Sequence, residues 1–336
     1  MGMTRRARAR ITFRGRDISD DVSNFAYTDN NDETDDISVA LSDREERWLN
    51  ELSPVAGDTM EAAIEVFDWN GPGDTRFINL SEFELDQFTY SDTARLNAVA
   101  VPITSSARSE KKNRSWKKIA LSGIAADIAG NAGLALVYET DIDPFYDVAD
   151  QNDKSDLEFL EELCKSDGLS MKITKRQLII FEESKYEALP AVATIRKGSR
   201  NIIGFPRFER NSKDVFKACE ISYFDPKTDE TYTGYFEAPD APDVGHTLKL
   251  RESYNSEVDD MHLDRKSMAR LRERNKNEWK CNITLVGDIR FFSGINVELV
   301  GWGMFDGKYH ITTARHTIGS GGYTVALNTR RCLRGY

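Results

Sequence analysis

The chain reads as mainly β with an α+β module in its middle, and three observations carry that reading. Short apolar-alternating runs with turn punctuation fill both ends of the sequence. Residues 116 to 181 say one thing twice, as two helix-glycine-strand units, and one charged helical stretch interrupts the second β region. The expected order is a first β-barrel over 1–103, a linker over 104–115, a small α/β module over 116–184 and a second β-barrel over 190–336 with a helical insertion at 257–280.

In the first region Ile11 and Phe13 alternate before Gly15 and Arg16. Ile37, Val39 and Leu41 alternate after an acidic loop, and Met60, Ala62, Ile64 and Val66 alternate before the turn at 70–73. Residues 104–115 are polar, basic and aperiodic, which is how a connecting segment looks. Ser122 then opens a run carrying Ile124, Ala125, Ile128 and Ala129, which stops at Gly133 and turns into Leu134, Leu136 and Tyr138. The pattern recurs from Ser155, with Leu157, Leu160 and Cys164, a stop at Gly168, and strands at Leu169, Met171, Ile173 and at 178–181. Ser155 with Glu158 three residues on is a capping box, in which hydroxyl and carboxylate satisfy each other's orphan amides. Gly133 and Gly168 stand where a left-handed residue ends a helix at little cost.

From about 190 the β pattern returns. Cys219, Ile221 and Tyr223 lead into a proline turn at 225–228, and the chain comes back through 231–236 as a hairpin. Between Glu257 and Trp279 lies the charged helix, marked by Met261, Met268, Leu271 and Trp279. Ile283 and Leu285, Val297 and Leu299, Tyr309 and Ile311, and Tyr323, Val325 and Leu327 then alternate, so that a second all-β domain closes around the helix.

Composition excludes several function classes. The 336 residues are 40% hydrophobic with a net charge of -11, enough for real cores and adverse to a nucleic-acid surface over the whole molecule. No apolar run approaches the ~18 residues of a membrane helix, and no apolar stretch follows Arg5, Arg6, Arg8 and Arg10 as in a secretion signal. Those arginines read as a solvated end or as a grip on a polyanion or acidic partner. Cys164, Cys219, Cys281 and Cys332 lie far apart and read as free core thiols of a reducing cytosol.

The remaining constellations are weak. Asp29, Asp32, Glu33, Asp35 and Asp36 lack the glycine and closing glutamate of a calcium loop and read as a solvated loop. Gly301, Gly303 and Gly307 have the wrong third spacing for a dinucleotide fingerprint and read as strand and turn glycines. His246, His262, His310 and His316 form no metal spacing, with His310 and His316 flanking one strand. No catalytic, metal or cofactor residue is nominated. Trp48, Trp69 and Trp302 are candidates for a glycan-binding platform, with burial the competing reading.

With both β regions in view, the order of signals resembles one family, the late control gene D proteins that form baseplate hubs of contractile phage tails and related particles. The most specific stretch is 293–327, where Gly294, Gly301, Gly303, Gly307, Tyr309, His316, Gly322 and Tyr323 resemble that family's final β region. Residues 13–43 resemble its first strands, 150–169 its middle module and 267–278 its charged helix. The likeness spans nearly the whole chain, and no single motif is diagnostic alone. It implies two β-barrels of the tail-tube kind and a non-enzymatic homotrimer that adapts a sixfold tail tube to a threefold central spike. Inner baseplate proteins and the tape-measure protein are the further partners implied. The implied place is a virion or phage-tail-like particle, bacteriocin or defective prophage included, assembled in the bacterial cytoplasm, with an acidic lumen that lets DNA or tape-measure protein slide. Because the sequence stops at Tyr336, the spike is expected to be a separate protein. The competing functions are a tail-tip peptidoglycan hydrolase, which needs a paired acid in a cleft, and a glycan-binding tail-tip protein.

Overall fold

The computed structural model describes residues 5–31, 34–55, 57–100, 107–108, 110–225, 228–239, 245–252 and 260–336. Its first region carries β1 (Arg6–Phe13), β2 (Arg16–Asp17), β3 (Val22–Asn30), β4 (Asp36–Leu41), β5 (Thr59–Phe67), β6 (Arg76–Tyr90) and β7 (Ala94–Val99). Strict alternation explains β1: Arg6, Arg8 and Arg10 face solvent while Ala9, Ile11 and Phe13 are buried. The core beneath is centred on Trp48, fully buried against Phe13 with ring centroids 5.2 Å apart. Phe25, Ile37, Val39, Met60, Ile64 and Leu96 pack around it.

The module follows with β8 (Lys112–Ala120), α1 (Leu121–Asn131), β9 (Ala135–Glu139), β10 (Phe145–Lys154), α2 (Asp156–Ser166), β11 (Ser170–Thr174), β12 (Gln177–Phe181) and α3 (Glu183–Ala188). Residues 112–115, read as linker, open β8 instead. Their basic side chains are held by strand pairing with β10 and by the buried Asp156, which accepts from Lys112 Nζ at 2.9 Å and Arg114 Nη2 at 2.7 Å. Residues 104–106 and 109 lie outside the described residues. β11, β12 and β9 form a three-stranded sheet in that order, with β9 parallel to β12. Both helices bury an apolar face on this module's core, Leu121, Ile124 and Ile128 from one, Phe159, Leu160 and Cys164 from the other.

The last region holds β13 (Ala193–Arg196), β14 (Ile202–Arg210), β15 (Phe216–Asp225), β16 (Glu230–Glu237), β17 (His246–Arg251), α4 (Asp260–Asn275), β18 (Trp279–Val286), β19 (Asn296–Val300), β20 (Gly307–Gly319) and β21 (Gly322–Arg331). Here the structure departs from two readings. The charged helix runs over Asp260–Asn275 among the described residues, with 257–259 outside them, and Trp279 already starts the next strand. It does not sit inside a closing barrel: α4 lies on its own three-stranded sheet, β16-β15-β17, where Leu263 and Leu271 meet Cys219, Ile221 and Tyr223. The other side of α4 faces the module, with Ala269 against Gly168. A helix buried on two sides carries no single apolar stripe, which is why its sequence shows only scattered apolar marks among charges. The turn residues 226–227 of the β15–β16 hairpin are outside the described residues.

The two β regions keep separate cores, yet they are joined. They share one 13-stranded sheet in the order β14-β18-β21-β20-β3-β4-β7-β6-β5-β1-β2, with β19 on β20 and β13 on β19. β20 makes the join. Its first residues pair with β19, its last with β3 from Thr313↔Asn30 to Ile318↔Phe25, and the register breaks between Ile311 and Thr313. One extra residue, Thr312, thus bends a strand from one core to the other. β21 pairs with β20 along its length and contributes Tyr323 to the first core and Val325 and Leu327 to the second. The sheet curls until β1 comes back beside β20 and β21. Alternation within a strand cannot reveal a partner some three hundred residues away, so the sharing was not visible in sequence.

Candidate functional site

The residues singled out by sequence fall in two places. Ser155 Oγ accepts from the Glu158 amide at 3.3 Å while a Glu158 carboxylate oxygen accepts from the Ser155 amide at 2.9 Å, fixing the start of α2. The partner hydrogen bond holds the Glu158 carboxyl below its usual range. Gly133 and Gly168 end α1 and α2 at φ of 68° and 77°. Ser122 is corrected: it lies inside the first turn of α1 and does not cap it. Asp143 does, accepting from the Ser122 amide at 2.9 Å and from its hydroxyl at 2.7 Å. Gly301, Gly303 and Gly307 all have positive φ; the first two lie between β19 and β20 and the third opens β20.

His310, His316, Cys164, Cys219 and Cys281 serve packing. His310 and His316 do not flank a strand but lie within β20, both fully buried. His316 sits between Tyr323 Oη and the Phe291 carbonyl, each at 2.8 Å, and burial lowers its basicity. Burial raises the thiols of Cys164, Cys219 and Cys281, that of Cys219 to about 11 and that of Cys281 to about 12, so neither of these two is a nucleophile at neutral pH. Among the described residues no group of three or more His, Cys, Asp or Glu is placed to hold a metal ion. Trp48 and Trp69 are buried in the first core and Trp302 packs on Phe208, so these tryptophans form no exposed platform.

What the structure brings together is charge. The acidic stretch read as a solvated loop is corrected for Asp29 and Asp35, which are 2% and 1% exposed; Asp32 and Glu33 lie outside the described residues. Lys172, from β11 of the module, ion-pairs with Asp29 and lies 3.7 Å from Asp35, and it donates to Ser293 Oγ at 2.7 Å. Asp29 also accepts from the Ser293 amide at 2.6 Å, and Asp35 from Tyr27 Oη at 3.0 Å and the Asn30 amide at 3.2 Å. One lysine cannot balance two buried carboxylates. Burial, reinforced by Asp29 and only partly offset by Lys172, pushes Asp35 up to about 7.

A second junction joins α3, α4 and β21. Glu183 accepts from Arg330 Nη2 at 2.9 Å and from Asn31 Nδ2 at 2.9 Å, with Lys276 at 3.5 Å and Arg272 at 3.7 Å. Glu187 pairs with both Arg330 and Arg272 and accepts from the Leu333 amide at 2.9 Å. Three bases here face two buried acids, with Glu273 beside Lys276 at the exposed rim. Burial alone would raise Glu183, but Arg330, Lys276 and Arg272 override it and hold the carboxyl at about 2. Next to it His310 is driven down to about 4 by burial and then by Arg330. Sequence reasoning missed Lys172, Glu183, Glu187 and Arg330. Phase gave no sign of Arg330 either, since the core positions of β21 are Tyr323, Val325, Leu327 and Thr329 and Arg330 falls on the alternate face with the exposed Asn328.

The outer surface offers strand edges and apolar projections. β14 is the end strand of the large sheet, and its register breaks between Ile203 and Arg207, where Gly204 is left-handed and Pro206 lacks a donor. Ile203 is 42% exposed and Phe205 fully so.

Against this geometry, solved structures of tail proteins match nearly the full chain. The 43 kDa tail protein of prophage MuSo2 from Shewanella oneidensis is 11% identical with a TM-score of 0.72, over 97% of this chain and 98% of that one. A tail protein of Neisseria meningitidis MC58 is 12% identical with a TM-score of 0.71, over 97% of each chain. The E. coli c3393 protein, described as a type VI secretion component with structural similarity to the T4 tail proteins gp27 and gp5, gives a TM-score of 0.56 at 12% identity over 97% of this chain and 78% of its own. The chain has the phage-tail fold, mainly β with α+β. No family model matches it, and no curated protein does.

Proposed function

We propose that this protein is a structural component of a phage tail or tail-like particle, a baseplate hub of the late control gene D type. In this reading it acts as a homotrimer that joins the sixfold tail tube to a threefold central spike, contacts inner baseplate proteins and the tape-measure protein, and carries no catalytic activity. The particle is a virion or a phage-tail-like bacteriocin assembled in the bacterial cytoplasm. The observation that carries the reading is the end-to-end likeness to tail proteins, 97% and 98% coverage at a TM-score of 0.72, because a shared module alone would not align both β regions and the helices between them.

The architecture suits the task. Buried ionic junctions fix the module and α4 to the large sheet, so that force reaching one region is passed to the others. An open end strand such as β14, with Phe205 projecting from it, is the kind of edge that a ring of subunits covers.

The test is native mass across a concentration series, with and without a candidate spike protein and a tail-tube protein. A trimer, alone or on addition of the spike, supports the hub; a monomer under every condition overturns it. Clearing of purified cell wall in a zymogram would favour the tail-tip hydrolase instead.

A further inference from the structure

β18 and β21 pair with Lys280 opposite Arg330 and Asn282 opposite Asn328, which sets four hydrogen-bond donors as a block on one face of two strands. They line a cleft of about 470 Å³ between the large sheet and the ends of α2 and α4. Three members of the block are exposed, and none of the three has a side-chain partner among the described residues. The fourth, Arg330, is 2% exposed and spends Nη2 on Glu183 and Glu187, while its Nη1 meets no acceptor among the described residues. A buried guanidinium nitrogen without an acceptor is costly, and a carboxylate is the group that fits it best. The two acids at the rim are already committed, Glu209 to Arg207 at 2.7 Å and Glu273 to Lys276 at 2.7 Å.

We propose that this cleft receives the carboxylates of an acidic peptide segment from a partner protein. Charge selects that occupant over a nucleic acid. The uncommitted groups are donors confined to one narrow cleft, whereas a phosphate backbone needs an extended basic track, and this chain carries a net charge of -11. Arg330 and Lys280 anchor one carboxylate, and Asn282 and Asn328 hold the adjacent peptide or a second carboxylate.

The experiment is calorimetric titration of the full chain with an oligoglutamate peptide, alongside inorganic phosphate and a single-stranded oligonucleotide. Lys280→Ala and Asn328→Ala change exposed residues and leave the buried junction intact, which circular dichroism and melting check. Lys249→Ala, at an exposed lysine on β17, controls for general charge. The expected result is one peptide per chain, each cleft variant binding at least about fivefold more weakly and the control unchanged. Absence of peptide binding, equal loss in the control, or tighter binding of phosphate or oligonucleotide than of peptide would overturn the proposal.

Discussion

The two buried ionic junctions are built from the same materials and are poised in opposite directions. Where the module meets β3 and β4, Asp29 and Asp35 share Lys172; where α3, α4 and β21 meet, Arg330, Arg272 and Lys276 surround Glu183 and Glu187. Desolvation alone would raise Asp35 and Glu183 alike, yet one is pushed up to about 7 and the other held at about 2. Burial therefore does not decide the protonation state of an interior carboxyl. The local count of opposite charges does, and Asn31, bonded to Glu183 and two residues from Asp29, ties the two counts together.

The comparison can be broken first at Arg330. Arg330→Met leaves two buried glutamates with less than their complement of positive charge and should cost about 3–5 kcal/mol in urea unfolding at neutral pH. A loss under 1 kcal/mol would mean the junction is wet. Lys172→Met should cost nearly as much at pH 8 but distinctly less at pH 5, because Asp35, already pushed up to about 7, is protonated there. Equal losses at both pH values would refute an acid-rich junction.

The pH response sharpens the contrast further. The folded Asp35 value lies above the ordinary 3.8, so its stabilising effect is complete below 3.8 and is lost as pH rises to about 7. Glu183 and His310 do the reverse. Glu183, held at about 2, stabilises above 4.5 and loses this as pH falls, and His310, folded at about 4, penalises acidification below 6.5. Asp35→Asn should flatten the stability profile between pH 4 and 7, and Glu183→Gln should flatten it below 4.5. Equilibrium unfolding across pH for both variants separates the junctions, and interchanged effects would reverse the assignment.

Smaller effects test how α4 reaches the second junction. Gly168→Ala meets a left-handed backbone and places a Cβ 2.7 Å from that of Ala269, and it should cost about 2–3 kcal/mol. Gly133→Ala has the same handedness but open space, and about 1 kcal/mol is expected. Similar melting shifts for the two would mean that α4 does not press on the module. Ser155→Ala, which removes the hydroxyl half of the capping box, should cost about 1 kcal/mol by the same assay.

What the sequence made legible is what lies within a few residues: the alternation of β1 and β5, the Ser155–Glu158 reciprocity, and glycine as the end of α1 and α2. Each depends on contacts at short separation, which residue types alone can report. The junctions span the chain instead, with Lys172 lying 143 residues from Asp29 and Arg330 lying 147 from Glu183. Composition was actively misleading there, since a run of acids looks solvated until the base that neutralises it is seen. Ser122 misled for the opposite reason: a good capping residue was present, but Asp143 reached the same amide from the loop between β9 and β10.

The bend of β20 at Thr312 bears on how the protein is made. A polypeptide leaves the ribosome from its N-terminus, and Phe25, Tyr27 and their neighbours emerge early. The strand that zips against them emerges only after the whole module and the earlier strands of the second β region, so the first core must wait with one flank open until β20 has been translated. A truncated product would expose an unpaired β3 and a wet core, making it a substrate for chaperones and proteases long before it could be built into a particle.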